Sequence, residues 1–220
     1  MRVAMLISAP LPPREGMGFY VWNLSRHLAG LGHSVHIIIR GPAHLQTCEV
    51  VDGIRIWRPP FWPLYPYHVQ CHGFFVDRLV RRLEPELDLL HLHSPLVRHP
   101  YTRLPSLVTI HSLMGMADGA VRADSIVGLL AKLQTPVSVR LERQVLARAG
   151  RVAVVAGATG QELRACHPGV APADVLGNGV DTHRFRPGRT GRGGPGYVLT
   201  AGRLAPGKGL YDLLACAALV

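Results

Sequence analysis

Charged residues are scarce in this sequence, and so are cysteines. Charged side chains make up 17% of the 220 residues, against about 25% in an average soluble domain, whereas 48% of the residues are hydrophobic. This composition supports a sizeable core and excludes a disordered chain. The four cysteines lie far apart and form no Cys-x-x-Cys pair, which argues against a zinc ribbon or a dense disulfide framework. We interpret them as reduced thiols of a cytosolic protein.

Long apolar runs are absent as well. No segment reaches the roughly 20 apolar residues of a membrane span, and the N-terminal apolar stretch has no signal-peptide cleavage site, so we expect a cytoplasmic protein. The 24 basic and 14 acidic residues give a net charge of +10, which is spread along the chain without a basic tail. Such a charge favours phosphate-bearing partners or acidic membrane surfaces and does not choose between them.

The apolar residues form short runs that alternate with segments of helical spacing. Five runs are typical of strands buried in a parallel sheet: Val3 to Ser8, Val35 to Ile39, Leu87 to Leu92, Leu107 to Ile110 and Arg151 to Ala156. Between residues 48 and 58 the dipeptide Asp52-Gly53 predicts a hairpin. The alternation of strands and helices predicts an α/β fold with a parallel sheet.

A glycine-rich segment divides the chain. Residues 190–196 contain four glycines and one proline, so we interpret them as a linker. A first domain then covers residues 1–189, and a second domain begins at residue 197. A strand over Tyr197 to Thr200 and a helix from Gly209 onward are predicted there, which is too little for a complete domain.

A loop follows the first predicted strand. The G-x-G-x-x-G fingerprint of dinucleotide-binding Rossmann domains is absent there, and Arg40 rather than an acidic residue ends the second strand, which argues against an oxidoreductase. The predicted loop from Pro10 to Gly18 leads into a helix. Gly16 and Gly18 fit either a phosphate site at the helix N-terminus or a turn that needs glycine for its backbone alone.

Several longer motifs follow one another along the chain. They are Leu28 to Val35, Asp88 to Ser94, Val108 to His111, Asn178-Gly179-Val180-Asp181 with Phe185-x-Pro187, and Gly202-Arg203-Leu204-x-Pro206-x-Lys208-Gly209. In this order they resemble the family 4 glycosyltransferases of GT-B fold. The resemblance implies a Rossmann-like N-terminal domain with helices on both faces of its sheet, followed by the start of a second Rossmann-like domain.

The resemblance also implies an activity. Family 4 enzymes move a sugar from a nucleotide-diphosphate donor to a glycan or lipid acceptor with retention of configuration. By resemblance His111 is catalytic, through a hydrogen bond to the transferred sugar, and the donor phosphates are bound by Gly16, Gly18, Arg203 and Lys208. The resemblance implies neither a metal cofactor nor a nucleic-acid partner.

The sequence departs from the family pattern at three places. Met17 separates two glycines that are usually adjacent, Ala156 replaces a serine, and no glutamate follows Glu162, whereas the family carries two glutamates in its second domain. We therefore expect the 220-residue chain to fold but not to transfer sugar alone. The alternative is a non-catalytic module that binds an acceptor or a membrane.

Two histidines in one predicted strand have the spacing of metal ligands. In His91-x-His93 both imidazoles lie on one face of the strand, because side chains alternate along a strand. His99 is the only further candidate nearby, and no carboxylate completes a recognisable set. We therefore predict no metal site.

Aromatic residues and prolines are concentrated in residues 57–67. The prolines exclude a regular helix, so periodicity cannot bring all these aromatic rings into the core. The segment fits a packed loop, an acceptor groove or a membrane interface, where Arg78, Arg81 and Arg82 would meet anionic lipid. Membrane contact would place the protein at the inner face of the membrane.

Overall fold

The computed structural model describes residues 1–115, 126–187, 198–202 and 209–218. The strands are β1 (Arg2–Leu6), β2 (Ser34–Ile38), β3 (Thr47–Val51), β4 (Ile54–Arg58), β5 (Leu89–Ser94), β6 (Ser106–Ile110), β7 (Arg151–Val154) and β8 (Asp174–Val175). The helices are α1 (Gly16–Gly30), α2 (His68–Leu83), α3 (Ile126–Arg148), α4 (Gly157–Cys166) and α5 (Leu210–Ala217). None of these helices is both long enough and apolar enough to cross a membrane.

One sheet contains all eight strands, in the order β3-β4-β2-β1-β5-β6-β7-β8. Every neighbouring pair is parallel except β3 and β4, which form the predicted hairpin. Asp52 and Gly53 have φ values of 51° and 77°, as a two-residue turn with a positive φ at both positions requires. The five strands predicted from apolar runs and the parallel sheet are confirmed, with small shifts at their ends.

Apolar side chains cover the sheet on both faces. Along β1, Val3, Met5 and Ile7 pack with Val21 of α1 in one cluster, whereas Ala4 and Leu6 belong to the other. The second cluster also contains residues of α2, α3 and α4. Burial on both faces explains why the parallel strands consist of continuous apolar residues. The fold is the predicted Rossmann-like α/β domain with helices on both faces.

The chain divides into two compact units, Met1–Gly179 and Val180–Val220. The linker predicted over 190–196 lies outside the described residues, and the domain boundaries drawn from the sequence stay a prediction. The strand predicted over Tyr197 to Thr200 is wrong for its described part, since residues 198–200 are exposed and irregular. The described part of this unit contains no strand with which residues 198–200 could pair their backbone groups.

The helix predicted from Gly209 is confirmed as α5. Gly209 precedes its first residue and has a φ of 68°, a backbone conformation that favours glycine. This explains why the apolar periodicity of the helix begins directly after a glycine.

Candidate active site

The strand order changes direction between β1 and β5. From β1 the chain continues to β2 on one side, and from β5 it continues to β6 on the other. Open α/β sheets bind ligands outside the carboxyl ends of the strands at such a point. His111 directly follows β6 at this edge, and its backbone amide donates to the carbonyl oxygen of Ser94 at 3.2 Å. The structure therefore places His111 where this fold binds ligands.

A second histidine contacts His111 from the neighbouring strand. Side chains alternate along β5, so that Leu92 enters the α2-side core while His91 and His93 lie on the opposite face. Nδ1 of His93 is 3.2 Å from Nε2 of His111, and one of these nitrogens donates to the other. His91 is 2.8 Å from the hydroxyl of Thr109 through its Nε2. The pairing of β5 with β6 thus brings three imidazoles into one row.

Tyr20 of α1 completes the cluster. Its ring meets the His111 ring edge to face, with 4.9 Å between the centroids, and the His93 ring at 5.8 Å. These contacts fix the imidazoles from the α1 side, since edge-to-face packing restricts ring orientation. Tyr20 was not predicted as a site residue, because the helical spacing of apolar residues in α1 does not indicate which strands the Tyr20 ring contacts.

Burial keeps these imidazoles uncharged at neutral pH. It lowers the pKa of His111 to about 4 and that of His91 to about 4, and it holds the pKa of His93 well below its usual value. The like charges of neighbouring imidazoles add to the effect for His91 and His93. At pH 7 the row therefore acts through hydrogen bonds rather than through positive charge.

Gly16 and Gly18 belong to helix α1, not to the loop that was predicted up to Gly18. The helix begins at Gly16, and the amide of Phe19 already donates to the carbonyl oxygen of Glu15 at 3.0 Å. Gly18 is buried, and a Cβ there would lie 3.3 Å from the Cβ of Pro13. Gly18 thus packs closely on the proline loop, whereas a Cβ at Gly16 would meet no atom within 4 Å.

The first turn of α1 is open to a ligand. The Glu15 side chain makes no capping hydrogen bond, so the amides of the first turn lack a side-chain partner from the cap residue. Amides at a helix N-terminus attract anions through their N–H groups and the helix dipole. The position of Gly16 and Gly18 at the carboxyl end of β1 is compatible with the predicted phosphate contact, which stays a prediction.

A buried carboxylate holds the segment after His111. Glu142 of α3 accepts a hydrogen bond from the amide of Met114 at 3.0 Å through Oε2, and its Oε1 is 2.9 Å from Nε2 of His167. The side chains of Glu142 and His167 are only 2% and 7% exposed. This pair connects α3, the end of α4 and the chain three residues beyond His111.

The other two predicted phosphate ligands, Arg203 and Lys208, lie outside the described residues. Their role stays a prediction based on the sequence motif.

A metal site is the other possibility for the row of three histidines. Among the described residues no group of three His, Cys, Asp or Glu side chains is arranged to hold a metal ion.

The aromatic segment between β4 and α2 is partly packed and partly exposed. Trp62 donates from its indole nitrogen to the carbonyl oxygen of Ala43, and its ring lies 5.8 Å from that of Phe75. Large apolar side chains nevertheless remain exposed on this segment and on α2: Trp62, Leu64, Tyr65, Tyr67 and Phe74. We call this set the aromatic patch.

Comparison with known proteins identifies the family. The sequence model described as Glycosyltransferase Family 4 matches residues 14–184, and the chain belongs to that family. A glycogen synthase of Mycobacterium tuberculosis (strain CDC 1551 / Oshkosh) is 28% identical to it, over 98% of this chain and 57% of that protein. An alpha-monoglucosyldiacylglycerol synthase of Acholeplasma laidlawii is 30% identical, over 51% of this chain and 30% of that protein.

The fold is similar to that of a solved structure. A sucrose-phosphate synthase from Thermosynechococcus elongatus aligns with a TM-score of 0.54 and 17% identity, over 79% of this chain and 46% of that one. This likeness supports the Rossmann-like GT-B architecture. The chain spans only 57% of the length of the glycogen synthase that it matches.

Proposed function

We propose that the chain is the acceptor-side part of a retaining glycosyltransferase, which moves a sugar from a nucleotide-diphosphate donor to a hydroxyl group of a glycan or lipid. The observation that carries this proposal is the contact between His93 and His111 at the carboxyl ends of β5 and β6, beside the switch point of the sheet. Family membership supports the reaction class. The relatives named as a glycogen synthase and an alpha-monoglucosyldiacylglycerol synthase support a glycan or lipid acceptor.

His93 determines which hydrogen bond His111 can offer. Nε2 of His93 is buried without a partner. A buried N–H group without an acceptor is rarer than an acceptor without a donor, so we assign the proton of His93 to Nδ1, from which it donates to Nε2 of His111. His111 then carries its own proton on Nδ1. That N–H group would donate to a hydroxyl oxygen of the transferred sugar.

The proposed role of His111 is positioning rather than proton abstraction. A pKa of about 4 makes its imidazole a weak base at neutral pH. In front-face transfer the bond from the sugar to the diphosphate breaks, and the acceptor oxygen attacks from the same face. The leaving diphosphate takes the proton of the acceptor hydroxyl. A hydrogen bond from His111 holds the sugar during this exchange.

Negative charge grows on the diphosphate as it leaves. Arg203 and Lys208 are proposed to neutralise this charge, together with the first-turn amides near Gly16 and Gly18. Fixed cations and amides can stabilise a leaving phosphate without a metal ion. Holding the donor in place also supplies positioning, which can contribute about 7 to 11 kcal/mol to lowering a barrier. We therefore propose that transfer needs a complete second domain.

A titration with UDP and GDP tests the donor site. In a chain extended through a complete second domain, Arg203→Ala with Lys208→Ala should weaken binding by about 1.5 to 3 kcal/mol per lost charged hydrogen bond. The control is Lys132→Ala with Arg143→Ala, which removes two exposed charges from α3. Equal affinities in the wild type and the first double variant would remove Arg203 and Lys208 from the donor site.

The second candidate is a membrane- or acceptor-binding role without catalysis. It rests on the aromatic patch, which lies beside the exposed basic residues Arg78, Arg81 and Arg82 of α2. Aromatic rings favour the membrane interface, and arginines attract anionic headgroups. Binding to vesicles should then rise with anionic lipid and fall with salt, because the attraction is screened over about 8 Å at physiological ionic strength. Binding that ignores lipid charge would leave the patch as a wall of the acceptor groove.

A further inference from the structure

A second cleft opens at the same edge of the sheet, on the face that carries α2. It is shallow and partly open to solvent. Its polar residues come from four segments: Ser8 follows β1, Arg40 follows β2, His72 lies on α2, and Arg98 lies between β5 and β6. Val69 and Val76 of α2 form an apolar wall. The cleft is therefore small, basic and made of rigid elements.

Arg40 is a half-buried cation that forms no ion pair with a described carboxylate. Its guanidinium carbon lies 4.6 Å from the centre of the Phe61 ring, and its Nη2 is buried without a hydrogen-bond partner. Among the described residues no carboxylate forms an ion pair with it. Burial lowers the pKa of Arg40, and the charges of Tyr65 and Glu15 only partly oppose this. A half-buried guanidinium in this state lacks the anion that would normally stabilise it.

Arg98 adds a second unsatisfied donor. Its Nη2 donates to the carbonyl oxygen of Gly73 at 3.0 Å and to the carboxylate of Asp77, whereas its Nε is buried without a partner. Gly73 makes this approach possible, since a Cβ there would overlap Nε of Arg98 and lie 2.8 Å from its Cδ. Asp77 balances the charge of Arg98. The positive charge of the cleft therefore comes from Arg40.

His72 contributes an uncharged acceptor. Its Nδ1 is 2.8 Å from the carbonyl oxygen of Pro60 and therefore carries the proton, which leaves Nε2 as an acceptor. Burial lowers the pKa of His72 to about 4, so the ring is neutral at pH 7. The cleft thus offers two guanidinium donors and one acceptor for a protonated oxygen.

We infer that this cleft binds a phosphate group, with Nη2 of Arg40 and Nε of Arg98 as its donors. Guanidinium groups match the oxygens of phosphate in charge and geometry better than other side chains do. Arg40 follows β2, three strands from β6, which corresponds to about 14 Å at the usual strand spacing. A phosphorylated oligosaccharide or a glycosylated phospholipid headgroup is long enough to span that distance. That the phosphate belongs to the acceptor rests on the proposed function.

Calorimetric titration of the chain with inorganic phosphate and with glycerol phosphate tests the site. The wild type should bind at least one of them saturably, and Arg40→Ala should weaken binding at least tenfold. The matched control is Arg143→Ala, which removes an exposed arginine of α3 with the same change in net charge and should leave the affinity unchanged. Arg40→Lys keeps the charge but not the fork of donors, and should bind several-fold more weakly even if Arg40→Ala fails to fold.

Vesicles of phosphatidylcholine with and without phosphatidylglycerol distinguish the source of the phosphate. Binding to anionic vesicles alone, weakened by Arg40→Ala but not by Arg143→Ala, would assign a lipid headgroup. No binding of any of these probes, or equal weakening by both variants, would overturn the inference. None of the titrations needs a donor sugar. A chain that binds phosphate but transfers no sugar when complete would refute the proposed function and leave the phosphate site standing.

Discussion

The buried carboxylate of Glu142 gives a direct test of how the site is held. It accepts from the amide of Met114 and contacts His167, and the side chains of Glu142 and His167 are almost fully buried. Glu142→Ala would leave both partners without an acceptor in the interior. Each buried donor left without a partner costs about 1 to 3 kcal/mol, so the total loss is a large part of the 5 to 15 kcal/mol that stabilise a typical domain.

The expected loss is large enough to measure by thermal unfolding. For a domain of this size, 1 kcal/mol shifts Tm by about 2 to 4 °C, so Glu142→Ala should lower Tm on the order of 10 °C. Glu142→Gln retains one oxygen acceptor and the shape of the side chain, and should lose about half as much. Circular dichroism at 222 nm during heating and urea unfolding would provide both values.

The control is Gln144→Ala, at an exposed position of the same helix. This substitution should change the free energy of unfolding by no more than about 0.5 kcal/mol, as is usual at the surface. If Glu142→Ala unfolds within 1 kcal/mol of that control, Glu142 does not hold the segment after His111, and our account of how the site is fixed is wrong.

Two further predictions concern pH and glycine. Burial lowers the pKa of His91 to about 4, so between pH 6.5 and 4 the unfolded state takes up a proton that the folded state does not. The contribution of the neutral His91 to the free energy of unfolding is therefore fully present above pH 6.5 and is lost as the pH drops towards 4. His91→Gln should reduce this slope in urea unfolding by up to about 1.4 kcal/mol per pH unit, and an unchanged slope would contradict the assignment. Gly41→Ala should destabilise the fold strongly, because a Cβ there would lie 2.5 Å from the carbonyl oxygen of Arg58. The control is Gly30→Ala, whose Cβ would meet no atom within 4 Å. Equal Tm values for these two variants would contradict the packing after β2.

Local signals were sufficient to predict most of the sheet. Apolar runs identified β1 and β2, and Asp52-Gly53 identified the turn between β3 and β4, because each depends on neighbouring residues alone. The start of α1 was placed too late, since prolines and glycines weigh against a helix. Contact between Gly18 and Pro13 overrides that preference, and nothing in the local sequence reports it.

Less of the candidate site than of the fold could be predicted from the sequence. Resemblance pointed to His111, but its contact with His93 depends on the register in which Ser94 pairs with Ile110 across two strands. Spacing within β5 showed only that His91 and His93 share a face. The contact of Tyr20 with this cluster depends on how α1 packs on the sheet. Such contacts between distant segments leave no pattern in a single sequence.

Sugar transfer by a chain extended through a complete second domain tests the central claim most directly. The assay supplies a panel of nucleotide sugars with glycan and lipid acceptors, and measures release of the nucleoside diphosphate and the anomeric configuration of the product. We predict transfer with retention, a loss of kcat of at least about 100-fold in His111→Ala, as is typical when one stabilising hydrogen-bond donor is removed, and no transfer by the 220-residue chain alone. Full turnover by His111→Ala, or a product of inverted configuration, would contradict the account.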